Sequence, residues 1–137
     1  TKERTDGDVR RDFPGGFPGD SRNAFTREGR TPEENAMFDW MSRLLHWRQG
    51  NDVITKGRQT QFIPHKGVYV VARRHDGCTV LTILNGTSKP AALEVARYAE
   101  VIGKARMGQD VLTGRTVSLQ QDLSLAPRET LVLEVEE

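Results

Sequence analysis

Cysteine, long apolar runs and an excess of charge of either sign are all scarce in this sequence. Cys78 is the only cysteine, so an intrachain disulfide is excluded. No apolar run approaches the roughly 18–20 residues that cross a membrane, and no signal peptide is recognisable. Lys and Arg total 20 against 19 Asp and Glu, and the resulting net charge of +1 disfavours nucleic acid as a partner.

Motifs of catalysis and metal binding are missing as well. The three histidines are scattered, and neither H-E-x-x-H nor paired C-x-x-C occurs. There is also no G-x-S-x-G, no phosphate-binding glycine loop and no dinucleotide fingerprint. With 36% hydrophobic and 28% charged residues, the composition indicates a globular domain whose activity no short motif reveals.

What is present begins with a long loop, predicted over residues 1–30. Glycine, proline and charge dominate it, and the sequence shows almost no periodicity there. Structureless loops of more than about 12–15 residues are usually functional or disordered. Phe13, Phe17 and Phe25 argue against disorder, because disordered segments are poor in aromatic side chains.

The charged side chains of this loop allow two interpretations. They include Asp6, Asp8, Asp12, Asp20, Arg10 and Arg11. Glycoside hydrolysis needs two carboxylates beside one bond, so the loop could bind or cleave a sugar while its arginines tune the acids. The other interpretation is a solvated loop whose charges pair with one another.

A helix is predicted over residues 32–49. Thr31 is a suitable N-cap, Pro32 suits the first helical position, and Glu34 completes a T-x-x-E capping box. Apolar side chains then recur with the i, i+3, i+4, i+7, i+8 spacing of one buried stripe. This apolar stripe consists of Met37, Trp40, Met41, Leu44 and Leu45. Gly50 and Asn51 predict the end of the helix.

Beyond residue 57 the period becomes that of β-strands. The predicted strands cover residues 68–74, 78–85, 92–98, 109–114, 116–120 and 129–135. Tight turns are expected at His75–Asp76–Gly77 and at Gly114. Short alternating strands with closely spaced turns predict a mainly β fold, a small antiparallel sandwich over residues 57–137.

The loop and helix together resemble the closing section of an α-amylase family enzyme (glycoside hydrolase family 13). The similarity lies in "GDVRRDFPGGFPGD", "NAFT" and "GRTPEENAMFDWMSRLLHWRQGN", with "ILNGT" and "DVLTG" in the β-rich part. It is strongest with the bacterial neopullulanase/cyclomaltodextrinase branch. The chain begins with threonine rather than methionine, and we expect it to be part of a longer protein.

The resemblance implies a division into two parts. Residues 1–52 would end a catalytic (β/α)8 barrel, with the loop at its C-terminal face and residues 32–49 as its last helix. The apolar stripe would then pack on barrel strands, and alone it predicts self-association or folding back onto the sandwich. Residues 57–137 would be the C-terminal antiparallel domain that packs on the barrel and stabilises it.

The resemblance also implies where the chemistry lies. The catalytic Asp, Glu and Asp of the family come from upstream barrel strands, so this segment is expected to be inactive within a starch-degrading, retaining hydrolase. Asp6 and Arg10 match a loop pair that contacts donor-side sugars, although the usual proline after the aspartate is replaced here by Gly7. No cofactor is expected in the segment, and the calcium sites of the family lie mostly upstream. The branch implies a periplasmic or cell-surface location.

A second function remains open, in which the sandwich is itself a starch- or maltooligosaccharide-binding module. Such modules present exposed aromatic side chains on a sheet face or at loop ends. The sandwich offers only Phe62, Tyr69 and Tyr98 for this purpose. Loss of maltoheptaose or starch binding in Tyr98→Ala would favour this alternative.

Overall fold

The computed structural model describes residues 5–10 and 12–136, apart from the side chains of Asp8 and Val9. The described chain forms two compact units, which divide between Ser42 and Arg43. No helix within the described residues is long and apolar enough to cross a membrane. The domain boundary predicted near residues 52–57 stays a prediction about the parent protein.

Helix α2 (Pro32–Gln49) has the predicted bounds, and its start is set by the predicted capping box. The Thr31 N–H donates to Glu34 Oε2 at 2.9 Å, and the Glu34 N–H donates to Thr31 Oγ1 at 3.2 Å. The remaining helical segments are α1 (Asp6–Val9), α3 (Asp52–Lys56), a 3₁₀ helix (Val95–Tyr98) and α4 (Ala99–Ile102). Helix α1 interrupts the loop predicted over residues 1–30, whose other described residues form only an isolated bridge between Gly15 and Asn23.

Eight strands in the described residues build the predicted mainly β fold. They are β1 (Arg58–Gln61), β2 (Val68–His75), β3 (Cys78–Asn85), β4 (Ala91–Leu93), β5 (Met107–Asp110), β6 (Thr116–Ser118), β7 (Leu123–Leu125) and β8 (Thr130–Glu136). The larger sheet has the order β1-β2-β3-β8-β5-β6, and the smaller one pairs β4 with β7. Every pairing is antiparallel.

The core lies on one face of the central strands β2, β3 and β8. Alternate side chains of β2 are buried, as the two-residue period predicts. The core residues from these strands are Val68, Val70, Ala72, Leu81, Ile83, Leu131, Leu133 and Val135. Leu93, Leu125 and Ile102, from the smaller sheet and α4, belong to the same cluster. The antiparallel sandwich predicted for residues 57–137 is thereby confirmed.

The turn between β2 and β3 has the expected chemistry. Asp76 has φ 48° and Gly77 has φ 79°, the pair of positive angles that a tight two-residue hairpin requires. His75 and Cys78 pair directly across it. The predicted hairpin of residues 68–85 is therefore confirmed.

The strand predicted over residues 92–98 is wrong beyond Leu93. Residues 95–98 form the 3₁₀ helix and the chain continues into α4. Val95, Tyr98 and Val101 are all buried, and their three-residue spacing places them on one helical face. The alternation of Leu93 and Val95 was too short to distinguish a strand from a helix.

The strand predicted over residues 109–114 is displaced upstream, to Met107–Asp110. It ends there because the Asp110 carboxylate turns the chain. Asp110 Oδ2 accepts the Thr113 hydroxyl at 2.6 Å and the Thr113 N–H at 3.2 Å. Gly114 has φ 74° and completes the predicted turn into β6.

Three further elements were not predicted, each for a simple reason. Strand β1 is entirely polar, RQTQ, and lies at the edge of the large sheet. Strand β7 has only three residues, too few to establish a period. Helix α3 starts at the signal that was taken as the end of α2, since Asn51 Oδ1 accepts the Ile54 N–H at 3.3 Å.

We predict that Asp110→Asn lowers the free energy of unfolding by about 2 kcal/mol or more. Asp110 is 0% exposed, and besides Thr113 it accepts the Val132 N–H of β8 at 3.0 Å. Asparagine would place an NH₂ group at one of the two carboxylate oxygen positions, where the NH₂ group would face an N–H donor. Urea unfolding measures the loss.

The matched control is Asp122→Asn. Asp122 is exposed and its Oδ1 accepts the Val95 N–H at 3.2 Å, a bond that an asparagine oxygen can keep. Its effect should be within about 0.5 kcal/mol. Equal effects of the two substitutions would contradict the role given to Asp110.

Candidate functional site

The two residues predicted to contact sugar are brought together at the start of the described chain. Asp6 begins helix α1 and Arg10 follows it, so that Arg10 Nη2 lies 3.5 Å from Asp6 Oδ2. Their side chains are 80% exposed for Arg10 and 90% for Asp6. A carboxylate and a guanidinium held side by side in solvent can accept from and donate to neighbouring hydroxyl groups. Arg11 and the side chain of Asp8 lie outside the described residues.

The following DFPGG segment is shaped by its glycines. Gly16 has φ 77°, and a Cβ on Gly15 would lie 2.5 Å from the Phe17 ring. The turn is closed by the Phe17 N–H, which donates to Asp20 Oδ2 at 3.0 Å. Asp20 therefore stabilises the turn of its own loop.

Arginines of residues 22–30 hold the loop against the first half of helix α2. Arg22 donates to both carboxylate oxygens of Glu34, at 2.5 and 2.8 Å. Arg27 Nη1 lies 3.1 Å from either oxygen of Asp39. Two ion pairs thus join this irregular segment to helix α2.

A third arginine, Arg30, also attaches the loop to helix α2. Its Nε donates to Asn35 Oδ1 at 2.8 Å, and its Nη1 donates to the backbone oxygens of Ala24 and Phe25 at 3.2 Å. The guanidinium carbon lies 4.1 Å from the centre of the Phe38 ring. Sequence reasoning missed Arg22 and Arg30, because no motif marks a loop arginine that bonds a helix.

A groove of about 600 Å³ lies between this loop and the helix within the first unit. Phe13 and Phe25 form one wall, with ring centres 4.8 Å apart. The groove is lined by Phe13, Pro14, Arg22, Ala24, Phe25, Arg30, Glu34, Met37, Phe38 and Met41. Its walls are apolar, and the polar tips of Arg22 and Glu34 bond to each other. The groove is therefore suited to packing against another apolar surface.

The apolar stripe of α2 is not buried. Among the described residues α2 contains no buried side chain, and Met37, Met41 and Leu45 are exposed while Trp40 and Leu44 are half-buried. An exposed apolar face of this kind is typical of a surface that packs on a partner. Self-association through the stripe stays a prediction.

The last turn of α2 is attached to the large sheet within the second unit. Trp47 Nε1 donates to Glu134 Oε1 at 2.6 Å, and Asn51 Nδ2 donates to the same oxygen at 2.9 Å. The Trp47 ring packs on the cluster of Ile54, Val80 and Val132. We call Trp47, Asn51 and Glu134 the helix anchor. Sequence reasoning missed it, since Glu134 is only one of the polar residues that alternate along β8.

The aromatic residues of the sandwich do not form an exposed platform. Tyr98 is 2% exposed, so its ring is not available for stacking on a sugar. Burial raises the pKa of its hydroxyl. The Phe62 ring packs edge-on against Tyr98 at 4.9 Å, and the hydroxyl of half-buried Tyr69 accepts from Gln61 at 2.8 Å. Two of the three rings are thereby engaged with the core.

In the described part of the chain, no three His, Cys, Asp or Glu side chains are grouped so as to hold a metal ion. The most perturbed carboxylate is that of Glu34. The bonds from Arg22, and then the bond from the Thr31 N–H, lower the pKa of Glu34 from 4.5 to about 2. Glu34 therefore stays ionised at neutral pH and serves attachment.

We predict that the helical circular dichroism of the chain falls as the pH drops from 4.5 towards about 2, the ordinary and the folded pKa of Glu34. A depressed pKa stabilises the folded state above the ordinary value, and that stabilisation is lost on protonation. Glu34→Gln should remove this part of the acid transition. The control Glu33→Gln removes a charge from the same turn and should keep it. An unchanged transition in Glu34→Gln would contradict the assignment.

Comparison with solved structures gives the same fold in a part of larger chains. AmyP in complex with maltose matches with a TM-score of 0.63 and 18% identity over 76% of this chain and 21% of AmyP. The noncanonic maltogenic α-amylase AmyB of Thermotoga neapolitana gives 0.62 and 20% over 80% and 28%. The Geobacillus thermoleovorans α-amylase complexed with acarbose gives 0.63 and 19% over 79% and 24%. This chain thus spans roughly a quarter of the length of these structures.

A family model decides the membership of the chain. The model of the cyclo-malto-dextrinase C-terminal domain matches residues 59–134, which is more than half of the chain. The match begins in β1 and ends in β8, so it covers the larger sheet from its first strand to its last. The chain belongs to the cyclo-malto-dextrinase C-terminal domain family, and the resemblance to the C-terminal part of an α-amylase family enzyme is confirmed.

Proposed function

We propose that this chain is the non-catalytic C-terminal segment of a retaining α-amylase-type hydrolase that cleaves α-glucosidic bonds in starch-like glucans. Its β-sandwich packs on the catalytic barrel and stabilises it. Family membership and the fold shared with maltose- and acarbose-bound α-amylases support this proposal. No catalytic role falls to residues of this chain, because the family's catalytic carboxylates come from upstream barrel strands.

The helix anchor is the observation that carries the structural role. Trp47 and Asn51 donate to a single oxygen of Glu134, and the Trp47 ring covers Val80 and Val132 of the sheet. A partly buried ring and two hydrogen bonds hold the end of α2 on the sandwich. Helix α2 would be the last helix of the barrel, so the anchor would attach the sandwich to it.

The exposed surfaces of the first unit support the same proposal. The apolar stripe and the groove of about 600 Å³ leave Met37, Phe38 and Met41 uncovered. Such surface is worth about 25 cal/mol for each Å² removed from water. The barrel is the partner that we propose for it, and covering by the barrel would stabilise both.

The test of the proposal compares the full-length protein with this chain on starch, pullulan and cyclodextrin, with reducing ends as the measurement. We expect hydrolysis by the full-length protein and none by the chain alone. The relative rates on the three glucans would identify the substrate preference. A full-length protein without glycosidase activity would overturn the proposed function.

We predict that Glu134→Ala in the full-length enzyme speeds thermal inactivation while leaving kcat/KM unchanged. The substitution removes both hydrogen bonds of the anchor, and we expect this chain to lose about 1–2 kcal/mol of unfolding free energy. Inactivation half-lives and initial rates on starch separate stability from catalysis. Glu136→Ala, at the exposed end of the same strand, is the control. Equal half-lives for the two variants would remove the anchor from the stabilising role.

For Asp6 and Arg10 we propose contact with donor-side sugars in the full-length enzyme. Their exposure and their separation of 3.5 Å leave carboxylate and guanidinium free to face adjacent hydroxyls. Asp6→Asn and Arg10→Ala should each raise KM by about tenfold, the usual size for a lost hydrogen bond to a charged group. Asp12→Asn, in the same loop, should change KM little. Wild-type KM in both variants would contradict the contact.

The branch resemblance carries one further part of the proposal, that the parent acts in the periplasm or at the cell surface of a bacterium. Fractionation of cells that express the full-length protein measures this directly. Activity confined to the cytoplasmic fraction would overturn it.

A further inference from the structure

The sequence contains a single Asn–Gly pair, Asn85–Gly86, at the end of β3. Asparagine is among the chemically labile residues of proteins. In a flexible chain the backbone nitrogen after it can attack the side-chain amide carbon, and glycine offers no side chain to hinder the approach. Asn23, Asn35 and Asn51 are followed by Ala or Asp, which crowd the same nitrogen.

We propose that Asn85 is a deamidation site gated by folding. In the open chain the Gly86 nitrogen forms a bond to Asn85 Cγ, and the side-chain amide leaves as ammonia. Water then adds to the cyclic imide and opens it at either carbonyl, which gives aspartate or isoaspartate. Water is the only co-reactant, and no oxidation or reduction occurs. The inference does not depend on the proposed function.

In the folded chain both reacting groups are already engaged. The Gly86 N–H donates to Gly67 O at 2.9 Å. Asn85 is 3% exposed, and its Nδ2 donates to Lys89 O and Ala126 O, each at 2.8 Å. Attack would require the amide to turn away from both carbonyls, and a buried polar group without its partners is costly.

The side-chain oxygen of Asn85 is hydrogen-bonded as well. Asn85 Oδ1 accepts the Thr87 N–H at 3.0 Å and lies 2.8 Å from the Thr87 hydroxyl. The backbone of Asn85 is fixed too, since its N–H donates to Glu129 O at 2.9 Å. The amide is therefore held by two chain segments, residues 87–89 and the loop before β8, and reaction requires local opening.

The product does not fit the place of the amide. An aspartate at residue 85 would set a carboxylate oxygen against the carbonyl oxygens of Lys89 and Ala126, where no donor remains. Isoaspartate adds an atom to the backbone and disturbs the pairing of Asn85 with Val68. A molecule that deamidates while open is therefore expected to refold with lower stability.

The experiment follows deamidation at Asn85 by peptide mass mapping in the full chain and in a synthetic peptide of residues 81–89. Both are held at the same mildly alkaline pH and temperature. The peptide should react at least about a hundredfold faster, because the folded chain reacts only from its open fraction. Similar rates would overturn the gating, and comparable reaction at Asn51 in unfolded chain would overturn the site.

Two variants test the enclosure and the product. Thr87→Val removes the hydroxyl at Asn85 Oδ1 and should speed the folded-state reaction by about tenfold, while Thr82→Val on the outward face of β3 should not. Asn85→Asp copies one product and should lower the urea midpoint. Thr87→Val at the wild-type rate would exclude the enclosure, and wild-type stability of Asn85→Asp would contradict the loss of stability in the product.

Discussion

The Asp110 carboxylate is the interaction on which the second half of the large sheet depends. It is fully buried and accepts N–H groups from its own turn and from Val132 of β8. Strands β5 and β6 are short, and β5 shares only two paired positions with β8. The carboxylate therefore supplies the polar contacts that short strands cannot, and a buried carboxyl group is held there because donors surround it.

Asn85 has a corresponding part at the end of β3. Its Nδ2 joins this end to the β3–β4 loop through Lys89 O and to the loop before β8 through Ala126 O. The apolar face of β2, β3 and β8 is covered by the smaller sheet and α4. The stability of the sandwich thus comes from an apolar core together with buried polar side chains whose hydrogen bonds are satisfied.

The first unit has a different construction. Its loop is ordered by arginines, since Arg22, Arg27 and Arg30 each bond to the side chain of an α2 residue. Ion pairs of half-exposed groups contribute little stability in water. The apolar face of α2 stays uncovered, so this unit has much to gain from a partner. A sandwich with a complete core and a loop–helix segment without one fit a chain whose first part belongs to a larger domain.

Sequence patterns predicted an element correctly where the interactions that define the element join neighbouring residues. The capping box set the start of α2 to the residue, and the Asp–Gly turn set the register of β2 with β3, because both depend on neighbouring atoms alone. The DFPGG loop and the following helix also led to the family, although the roles of Asp6 and Arg10 stay predictions. Patterns failed at residues 92–98, where two apolar positions fit a strand and a helical turn equally well.

The sequence by itself determined the helix, the central hairpin, the mainly β class and the family resemblance. Only the tertiary structure decided that Glu134 receives Trp47 and Asn51, that Tyr98 is buried and that Asp110 joins two strands. These contacts join residues that are far apart in the chain, such as Trp47 and Glu134. In the sequence, a polar residue on the outward face of a strand has the same pattern whether its side chain contacts water or accepts a hydrogen bond from an indole N–H. Its role is set by what the fold places opposite it.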